Sequence, residues 1–169
     1  MPEYVETVRS VPPATRFILQ CGKEARDRAG PAFGVSLPEA ACRAESAAGL
    51  AALWLGPDER LLLAPEGSEE SVADAIGKAL AGIPHSLVDV SHRQTGLLLA
   101  GAAARDLLAS GCPLDLDAEA FPVGMCTRTV FARAEVVLWR RSAEEYHLET
   151  GRSFSGYVLG WLKEAERGG

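Results

Sequence analysis

The sequence lacks the features that would place it in several functional classes. Its 169 residues include no asparagine, which excludes N-glycosylation. Its longest stretch without a charged residue, Ser46 to Pro57, has 12 residues, whereas a transmembrane helix needs about 20. Basic residues are outnumbered and the formal net charge is −6, whereas nucleic-acid-binding domains usually carry a basic surface. The composition therefore predicts neither a nucleic acid nor a membrane as a partner.

Metal-binding and secretion signals are also missing. The four cysteines form no C-x-x-C pair and the three histidines form no H-x-x-x-H pair, so we expect reduced, mostly buried thiols and no structural metal. Met1 to Arg9 carries three charges and no apolar run, unlike a signal peptide. These absences predict a cytoplasmic protein.

No compact catalytic motif occurs in the chain. The segment 151–156 has the outer glycine spacing of a phosphate loop, but Tyr157 and Val158 stand where Lys and Ser or Thr are required. The densest polar cluster contains Asp89, His92 and Arg93 around Ser91. Neighbouring strand residues point to opposite faces, so a local hydrolase triad is geometrically poor, although a hydrolase remains an open alternative. The sequence favours a binding or structural subunit over an independent enzyme.

The hydrophobic pattern predicts an α+β fold with mainly antiparallel sheets and packed helices. We expect an irregular segment at 1–15 and one domain at 16–167, built of two merged ferredoxin-like halves at approximately 16–90 and 91–167. A strand pair followed by a helix occurs near 50–82 and again near 134–166, which suggests this repeat. Gly22 to Gly34, rich in Arg, Gly and Pro, is expected to be a surface loop.

The predicted strands and helices are mixed along the chain, with hairpins rather than strict β-α-β alternation. The strands are expected at 16–21, 50–55, 60–63, 86–91, 94–100, 126–133, 134–141 and 146–150, and the helices at 68–82, 101–110 and from Ser153 onward. The last helix is expected to pack into the core by its Phe154, Val158, Trp161 and Leu162 side chains, which share one helical stripe.

Arginine and aromatic side chains are the best candidates for a partner surface, because interfaces are enriched in both. The candidate interface residues are Trp54, Arg128, Trp139, Arg140 and Arg141. On strands, some of these side chains must point away from the core. We therefore expect the isolated chain to self-associate or to expose an apolar patch, unless both tryptophans are simply core residues.

Four segments resemble the gamma subunit family of heterotetrameric sarcosine oxidases. They are the Leu-Trp-Leu-Gly-Pro-Asp-Glu-Arg-Leu-Leu hairpin at 53–62, Val88 to Gln94, the segment from Leu107 to Leu116, and Phe121 to Gly124, followed by Arg128-Thr129. The resemblance runs from about Phe33 to Ala165.

The resemblance implies a fold similar to the N-terminal, folate-binding part of glycine-cleavage aminomethyltransferases. It also implies a non-catalytic subunit of a complex that oxidises sarcosine to glycine, forming hydrogen peroxide and formaldehyde or methylene-tetrahydrofolate. FAD, FMN, NAD and tetrahydrofolate are then expected on the alpha, beta and delta partner subunits, and no cofactor on this chain. The aminomethyltransferase acidic pair is matched here by Ala134-Glu135, so one acid is missing. The alternative is a free-standing folate- or pterin-binding module, which would need no partner chains.

Overall fold

The computed structural model describes residues 7–168, and the chain divides into two compact units. Of the described residues, one unit contains 7–12 together with those from Gln94 onward, and the other contains Pro13–Arg93. The first six residues of the segment expected to be irregular, and to carry no signal peptide, lie outside the described residues. Within residues 7–168, no helix is both long and apolar enough to cross a membrane.

The described residues form ten strands and four helices. In chain order these are β1 (Val8–Ser10), β2 (Ala14–Cys21), α1 (Lys23–Phe33), β3 (Ala44–Ala47), β4 (Leu50–Gly56), β5 (Glu59–Pro65), α2 (Glu69–Ala79), β6 (His85–Asp89), β7 (Gln94–Ala100), α3 (Ala104–Ala109), β8 (Cys126–Phe131), β9 (Ala134–Ser142), β10 (Glu145–Gly151) and α4 (Arg152–Gly168).

The unit Pro13–Arg93 is a five-stranded antiparallel sheet with two helices. The strand order is β3-β4-β5-β2-β6, and the predicted β4–β5 hairpin is confirmed by register pairs such as Ala52 with Leu62. Alternate strand residues, including Phe17 and Leu19, pack with residues of α1 and α2 such as Ile76 in one core. Strand alternation therefore places the apolar side chains where the two helices bury them.

The unit from Gln94 onward repeats this arrangement. Its strand order, β8-β9-β10-β7-β1, matches the first sheet position by position, and every pair is antiparallel. The exception in connectivity is β1, which comes from the N-terminal end of the chain and occupies the edge that β6 occupies in the other sheet. Helices α3 and α4 contribute Leu108, Val158 and Leu162 to its core. The predicted α+β class with two similar halves is confirmed.

The surface loop predicted at 22–34 is wrong, because Lys23–Phe33 forms α1. Ala25, Ala29 and Phe33 recur every four residues and are buried, a helical stripe that the surrounding polar residues hide. The helix tolerates Pro31 in its last turn, and Gly34 ends it with a φ of 105°, a conformation that glycine adopts without strain.

Two short edge strands were not predicted from the sequence. β1 lies within the segment expected to be irregular, and β3 is a polar strand with Glu45 and Ser46 exposed. β1 pairs only with β7, and β3 pairs only with β4, among the described residues. Natural edge strands are often very short and carry charged side chains, so an apolar pattern does not reveal them.

The orientation predicted for α4 is half right. Val158 and Leu162 are fully buried, as expected, but Phe154 and Trp161 are 48% and 41% exposed. The apolar stripe of α4 is wider than the part of the helix that its own core covers. Part of the stripe therefore faces solvent in the isolated chain.

Candidate functional site

The polar cluster near residue 89 lies where β6 ends, and its hydrogen bonds are structural in character. The Asp89 carboxylate accepts a hydrogen bond from the Ser91 backbone N–H at 2.8 Å. The Ser91 hydroxyl oxygen in turn accepts one from the Arg16 backbone N–H at 2.9 Å. Hydrogen bonds from Ser91 lower the pKa of Asp89 below its usual value. These contacts fix the turn after β6 to β2, while His92 and Arg93 are exposed.

The same contacts bear on the hydrolase alternative. A serine nucleophile needs its hydroxyl within hydrogen-bond reach of a base. The Ser91 hydroxyl is instead directed at the Arg16 main chain, with its donor contact of 3.4 Å to the Arg16 carbonyl oxygen. The cluster therefore has the geometry of a capped turn rather than that of a nucleophile and base.

Trp54 lies on β4 next to the hairpin turn. The side chain is half-buried, and its backbone pairs with Arg60 across the β4–β5 ladder. A further backbone hydrogen bond, from the Trp54 N–H to the Arg43 carbonyl oxygen at 3.0 Å, holds the strand against the segment before β3. Trp54 is therefore partly accessible to solvent, and backbone hydrogen bonds on β4 fix its position.

The candidate interface residues on β8 and β9 divide into exposed and buried groups. Arg128, on the edge strand β8, and Arg141 are exposed, whereas Trp139 is only 6% exposed. The Arg141 guanidinium lies over the Trp139 ring at 5.3 Å from its centroid and forms a 3.0 Å ion pair with Glu145. Because residues two apart share a face of a strand, Arg141 covers Trp139 from the solvent side.

Arg140 points to the opposite face of β9 and is 7% exposed. Its Nη1 and Nη2 donate hydrogen bonds of 2.8 Å to the carbonyl oxygens of Phe121 and Ala143, and the guanidinium stacks on the Tyr146 ring at 5.4 Å. These bonds tie the β9–β10 turn to the loop that precedes β8.

Arg60 has the same role in the other unit. Its side chain is 1% exposed, with Nε bonded to the Pro38 carbonyl oxygen at 2.9 Å and Nη1 to that of Pro57 at 2.8 Å. Burial lowers the pKa of this guanidinium, although an arginine remains charged at any physiological pH. Each unit therefore secures its central hairpin turn with a buried arginine.

A buried ionisable pair on β10 was not identified from the sequence. The His147 Nε2 and Glu149 Oε1 atoms are 2.6 Å apart, and both side chains are at least nine-tenths buried. The His147 ring also contacts Trp139, with centroids 5.9 Å apart. The available signal was alternation: Tyr146 and Leu148 are apolar and face the core, which places His147 and Glu149 together on the other face.

The exposed side of α4 forms an apolar groove. Phe154, Tyr157 and Trp161 are 41–48% exposed, and a groove of about 440 Å³ is lined by Gly156, Tyr157, Gly160, Trp161, Glu164 and Ala165. Trp161 is oriented by edge-on contacts with the Tyr157 and Phe131 rings and by a 3.2 Å hydrogen bond from its indole N–H to the Ser110 hydroxyl. The sequence pattern identified this stripe but assigned all of it to the core.

The cysteines and histidines do not converge on a metal site within residues 7–168. No group of three or more His, Cys, Asp or Glu side chains in this range has the geometry to hold an ion. The four cysteines, all within residues 7–168, form no disulfide. Burial raises the pKa of the Cys21 thiol, which lowers its reactivity at neutral pH.

Comparison with known proteins identifies the relatives of this chain. Residues 26–167 match the model of the "Sarcosine oxidase, gamma subunit family". The sarcosine oxidase gamma subunit of Corynebacterium sp. (strain P-1) is 38% identical over 135 residues, which cover 79% of this chain and 66% of that relative. The gamma subunit of Corynebacterium sp. (strain U-96) is 34% identical over 166 residues, covering 96% of this chain and 80% of the relative. The match to the first relative thus spans slightly less than two thirds of its length.

Solved structures agree with these relatives. A chain of the heterotetrameric sarcosine oxidase from Corynebacterium sp. U-96, in complex with pyrrole 2-carboxylate, superposes with a TM-score of 0.87 and 32% identity, covering 94% of this chain and 82% of that chain. Glycine cleavage system aminomethyltransferase T from Bartonella henselae superposes with a TM-score of 0.70 at 11% identity, covering 92% of this chain and 44% of that one, which shows a shared fold. With a family match across most of its length and relatives above 30% identity, the chain belongs to the sarcosine oxidase gamma subunit family.

Proposed function

We propose that this chain is a non-catalytic gamma subunit that supports the assembly of a heterotetrameric, flavin-dependent sarcosine oxidase. The observation that carries the proposal is the superposition of 94% of the chain on a chain of such a complex, with a TM-score of 0.87. The reaction proposed for the complex is oxidation of sarcosine to glycine with formation of hydrogen peroxide, the methyl group leaving as formaldehyde or methylene-tetrahydrofolate.

The polar groups of this chain support placing the cofactors on the partner subunits rather than on this chain. The buried side chains of Arg60, Arg140 and Ser91 are hydrogen-bonded to main-chain atoms, so they serve the fold rather than a reacting substrate. On the resemblance to the sarcosine oxidase gamma subunit family, we assign FAD, FMN, NAD and tetrahydrofolate to the alpha, beta and delta partner subunits. The proposed location of the complex is the cytoplasm.

The partner surface includes the exposed part of the candidate interface residues. Arg128 on β8 and Arg141 on β9 present charged groups to solvent, and Trp54 presents part of an aromatic ring in the other unit. Trp139 lies beneath this surface and supports the Arg141 guanidinium, whereas Arg140 lies on the opposite face of β9 and fixes the β9–β10 turn. Arginine and aromatic side chains dominate the binding energy of many interfaces.

A free-standing folate- or pterin-binding module is the second candidate function. The fold shared with aminomethyltransferase T supports it, but a likeness at 11% identity concerns fold alone. The replacement of one acid of the aminomethyltransferase pair by Ala134 also weighs against folate chemistry on this chain.

Reconstitution distinguishes the two functions. The partner subunits are expressed with and without this chain, and assembly, flavin absorbance and peroxide production from sarcosine are measured. We expect the isolated chain to be colourless and inactive, and the complete complex to require it for assembly. Peroxide formation by the pure chain, or assembly of an equally active complex without it, would contradict the proposal. Titration of the isolated chain with tetrahydrofolate tests the alternative, which predicts saturable binding without partners.

A further inference from the structure

The strand β6 is an open edge of the sheet in the unit Pro13–Arg93. Within residues 7–168 it pairs with β2 on one side and with no strand on the other. Four of its five residues are exposed, and the third, Leu87, is half-buried. Of the six exposed large hydrophobic side chains in the described part of the chain, Val88 on β6, at 46%, is the one that lies in this unit.

The other edge strands carry features that discourage pairing with a further strand. Natural sheets protect their edges with short strands, charged side chains, proline and bulges. β1 has three residues with Arg9 at its centre, β3 has four with Glu45, and β8 carries the exposed Arg128. β6 has no Lys, Arg or Pro and no break in its register, and its charged residue, Asp89, is at its last position. It is therefore the edge least protected against a further strand.

The backbone groups of β6 that face away from β2 can be identified from the ladder. The Val90 N–H donates a 2.8 Å hydrogen bond to the Arg16 carbonyl oxygen. Hydrogen-bonded and non-hydrogen-bonded residues alternate in an antiparallel pair, so Ser86 and Val88 also bond to β2. The N–H and C=O groups of the first, third and fifth residues of β6 therefore point to the open side.

These three residues are self-complementary about a two-fold axis. When β6 of a second copy lies antiparallel with Leu87 opposite Leu87, His85 lies opposite Asp89 at each end, and every outward N–H faces a carbonyl oxygen. Directly opposite side chains have Cβ atoms about 4.5–5.5 Å apart, within reach of an ion pair. The His85 Nδ1 is 2.8 Å from the Ile83 carbonyl oxygen, which can only accept, so Nε2 is left to donate to the carboxylate when the ring is protonated.

The side chains on both faces of β6 suit the same pairing. Leu87 packs against the core of its own unit, so contact between the two Leu87 side chains extends that apolar surface. On the other face, Val88 lies opposite Ser86 of the second copy, which covers part of its exposed side chain. The two Asp89 carboxylates are kept four residues apart along the strand, about 13 Å, so no like charges meet.

We propose that β6 is a dimerisation edge that pairs antiparallel with β6 of a second copy, in register about Leu87, and joins two five-stranded sheets into one of ten strands. A two-fold contact of this kind closes after two copies. Five residues a side is far fewer than the roughly 20–30 of a stable interface, so the dimer is weak, with a dissociation constant between about 10 µM and 1 mM. The inference concerns the isolated chain and does not rest on the proposed function. It gives the self-association expected from the sequence a surface other than the arginine and aromatic residues.

Two substitutions at one exposed position test the pairing through charge. His85→Asp places a carboxylate opposite Asp89, whereas His85→Lys keeps an opposite charge there, and both lose the same contact with Ile83. Each dimer contains two of these pairs, so we expect His85→Asp to raise the dissociation constant at least about tenfold. His85→Lys should leave it equal to or below that of the parent chain. Ser46→Asp, which adds a negative charge to the exposed edge strand β3 of the same sheet, is the control and should change it less than about twofold.

The dissociation constants are measured by sedimentation equilibrium of the full chain at low salt, where charge effects are least screened. Amide hydrogen exchange followed by NMR locates the contact. The amides of Leu87 and Asp89 should exchange more slowly at about 1 mM chain than at tenfold dilution, since they gain partners only in the dimer. The amides of Ser86 and Val88, already bonded to β2, should change little and serve as the internal reference.

Every other outcome overturns the proposal. A chain that stays monomeric at about 1 mM has no such dimer. Equal dissociation constants for His85→Asp and His85→Lys, or dimerisation without slower exchange at Leu87 and Asp89, place the contact elsewhere, and protection at Tyr157 and Trp161 would assign it to α4. Oligomers that keep growing with concentration would show an unlike-edge contact that does not close. None of these results bears on whether the chain joins a sarcosine oxidase complex.

Discussion

The two units of the chain share one topology but differ in the surfaces that they leave open. Each has five antiparallel strands in the same spatial order, and each has two helices whose apolar side chains form a core with those of the strands. Among the described residues, six large hydrophobic side chains are exposed, and five of them lie in the unit that begins at Gln94: Val123, Val130, Phe154, Tyr157 and Trp161. The comparison shows that the two units share one architecture, while the exposed large hydrophobic side chains concentrate in one of them.

The two units also stabilise their central hairpins by the same means. Arg60 and Arg140 lie near the turns of the β4–β5 and β9–β10 hairpins and donate to main-chain carbonyl oxygens there. The arginines occupy different strands of their hairpins, β5 in one unit and β9 in the other. The shared requirement is therefore to satisfy the turn carbonyls, and either strand can supply the guanidinium.

The largest effects are expected from the residues that anchor one helix of each unit. Ile76 of α2 and Leu162 of α4 are both fully buried, so Ile76→Ala and Leu162→Ala should each lower the free energy of unfolding by about 2–5 kcal/mol, measured by urea denaturation. Lys78→Ala, at an exposed position of α2, is the control and should change it by less than about 0.5 kcal/mol. A loss below about 1 kcal/mol for Leu162→Ala alone would show that the two helices are not equivalent anchors.

The hairpin arginines should give the next largest effects, of similar size in both units. Arg60→Met and Arg140→Met each remove hydrogen bonds from a charged donor to buried carbonyl oxygens, worth about 1.5–3 kcal/mol apiece, while relieving part of the cost of burying a charge. We expect net losses of about 2–3 kcal/mol in the free energy of unfolding. Arg→Lys variants, which keep the charge but lose the planar donor arrangement, should recover little of this. A loss confined to one arginine would break the parallel between the hairpins.

Trp161→Ala sharpens the contrast between the buried and exposed sides of α4. The ring is 41% exposed and keeps an edge-on contact with Phe131 and a hydrogen bond to Ser110, so we expect a loss of about 1–2 kcal/mol, less than that of Leu162→Ala. Ser110→Ala should account for about 0.5–1 kcal/mol of it, and a double-mutant cycle separates the two contributions. If Trp161→Ala lowered the free energy of unfolding by about 4 kcal/mol, the ring would instead be a fully packed core residue.

The smallest effect is expected at the turn after β6, and it depends on pH. Hydrogen bonds from Ser91 hold the pKa of Asp89 below its unfolded value, so the carboxylate contributes stability above about pH 4. That contribution disappears as the pH falls through the folded-state pKa. Because Asp89 is exposed, Asp89→Asn should cost less than about 1 kcal/mol at pH 6.

Urea denaturation of the parent chain and Asp89→Asn at pH 6 and near pH 2 measures this difference. The two chains should differ at pH 6 and converge at the lower pH. A difference that persists near pH 2 would mean that the substitution acts through the geometry of the turn rather than through its charge.

Hydrophobic periodicity predicted most of the fold and little of the surface. The β4–β5 hairpin and the strands β7 to β10 follow from alternation and turn residues, since local side-chain pattern determines them. Helix α1 was missed because its small buried residues, Ala25 and Ala29, are separated by charges and followed by Pro31. The exposure of Trp161 was missed because an apolar stripe does not reveal how much of its width the protein's own core covers. The resemblance to known gamma subunits, carried by the hairpin at 53–62 and several later segments, suggested the function that we propose, and periodicity alone did not.

The placement of β1 has a consequence for how the chain is made. Val8–Ser10 is synthesised before the unit Pro13–Arg93, but its pairing partner, Leu97–Leu99, is synthesised about ninety residues later. All the residues of the unit Pro13–Arg93 are available before then, and domains generally fold as units during synthesis, the N-terminal ones first. The β1 segment of the nascent chain therefore stays unpaired until β7 emerges, and the β1–β7 pairing forms only after the unit Pro13–Arg93 has been synthesised.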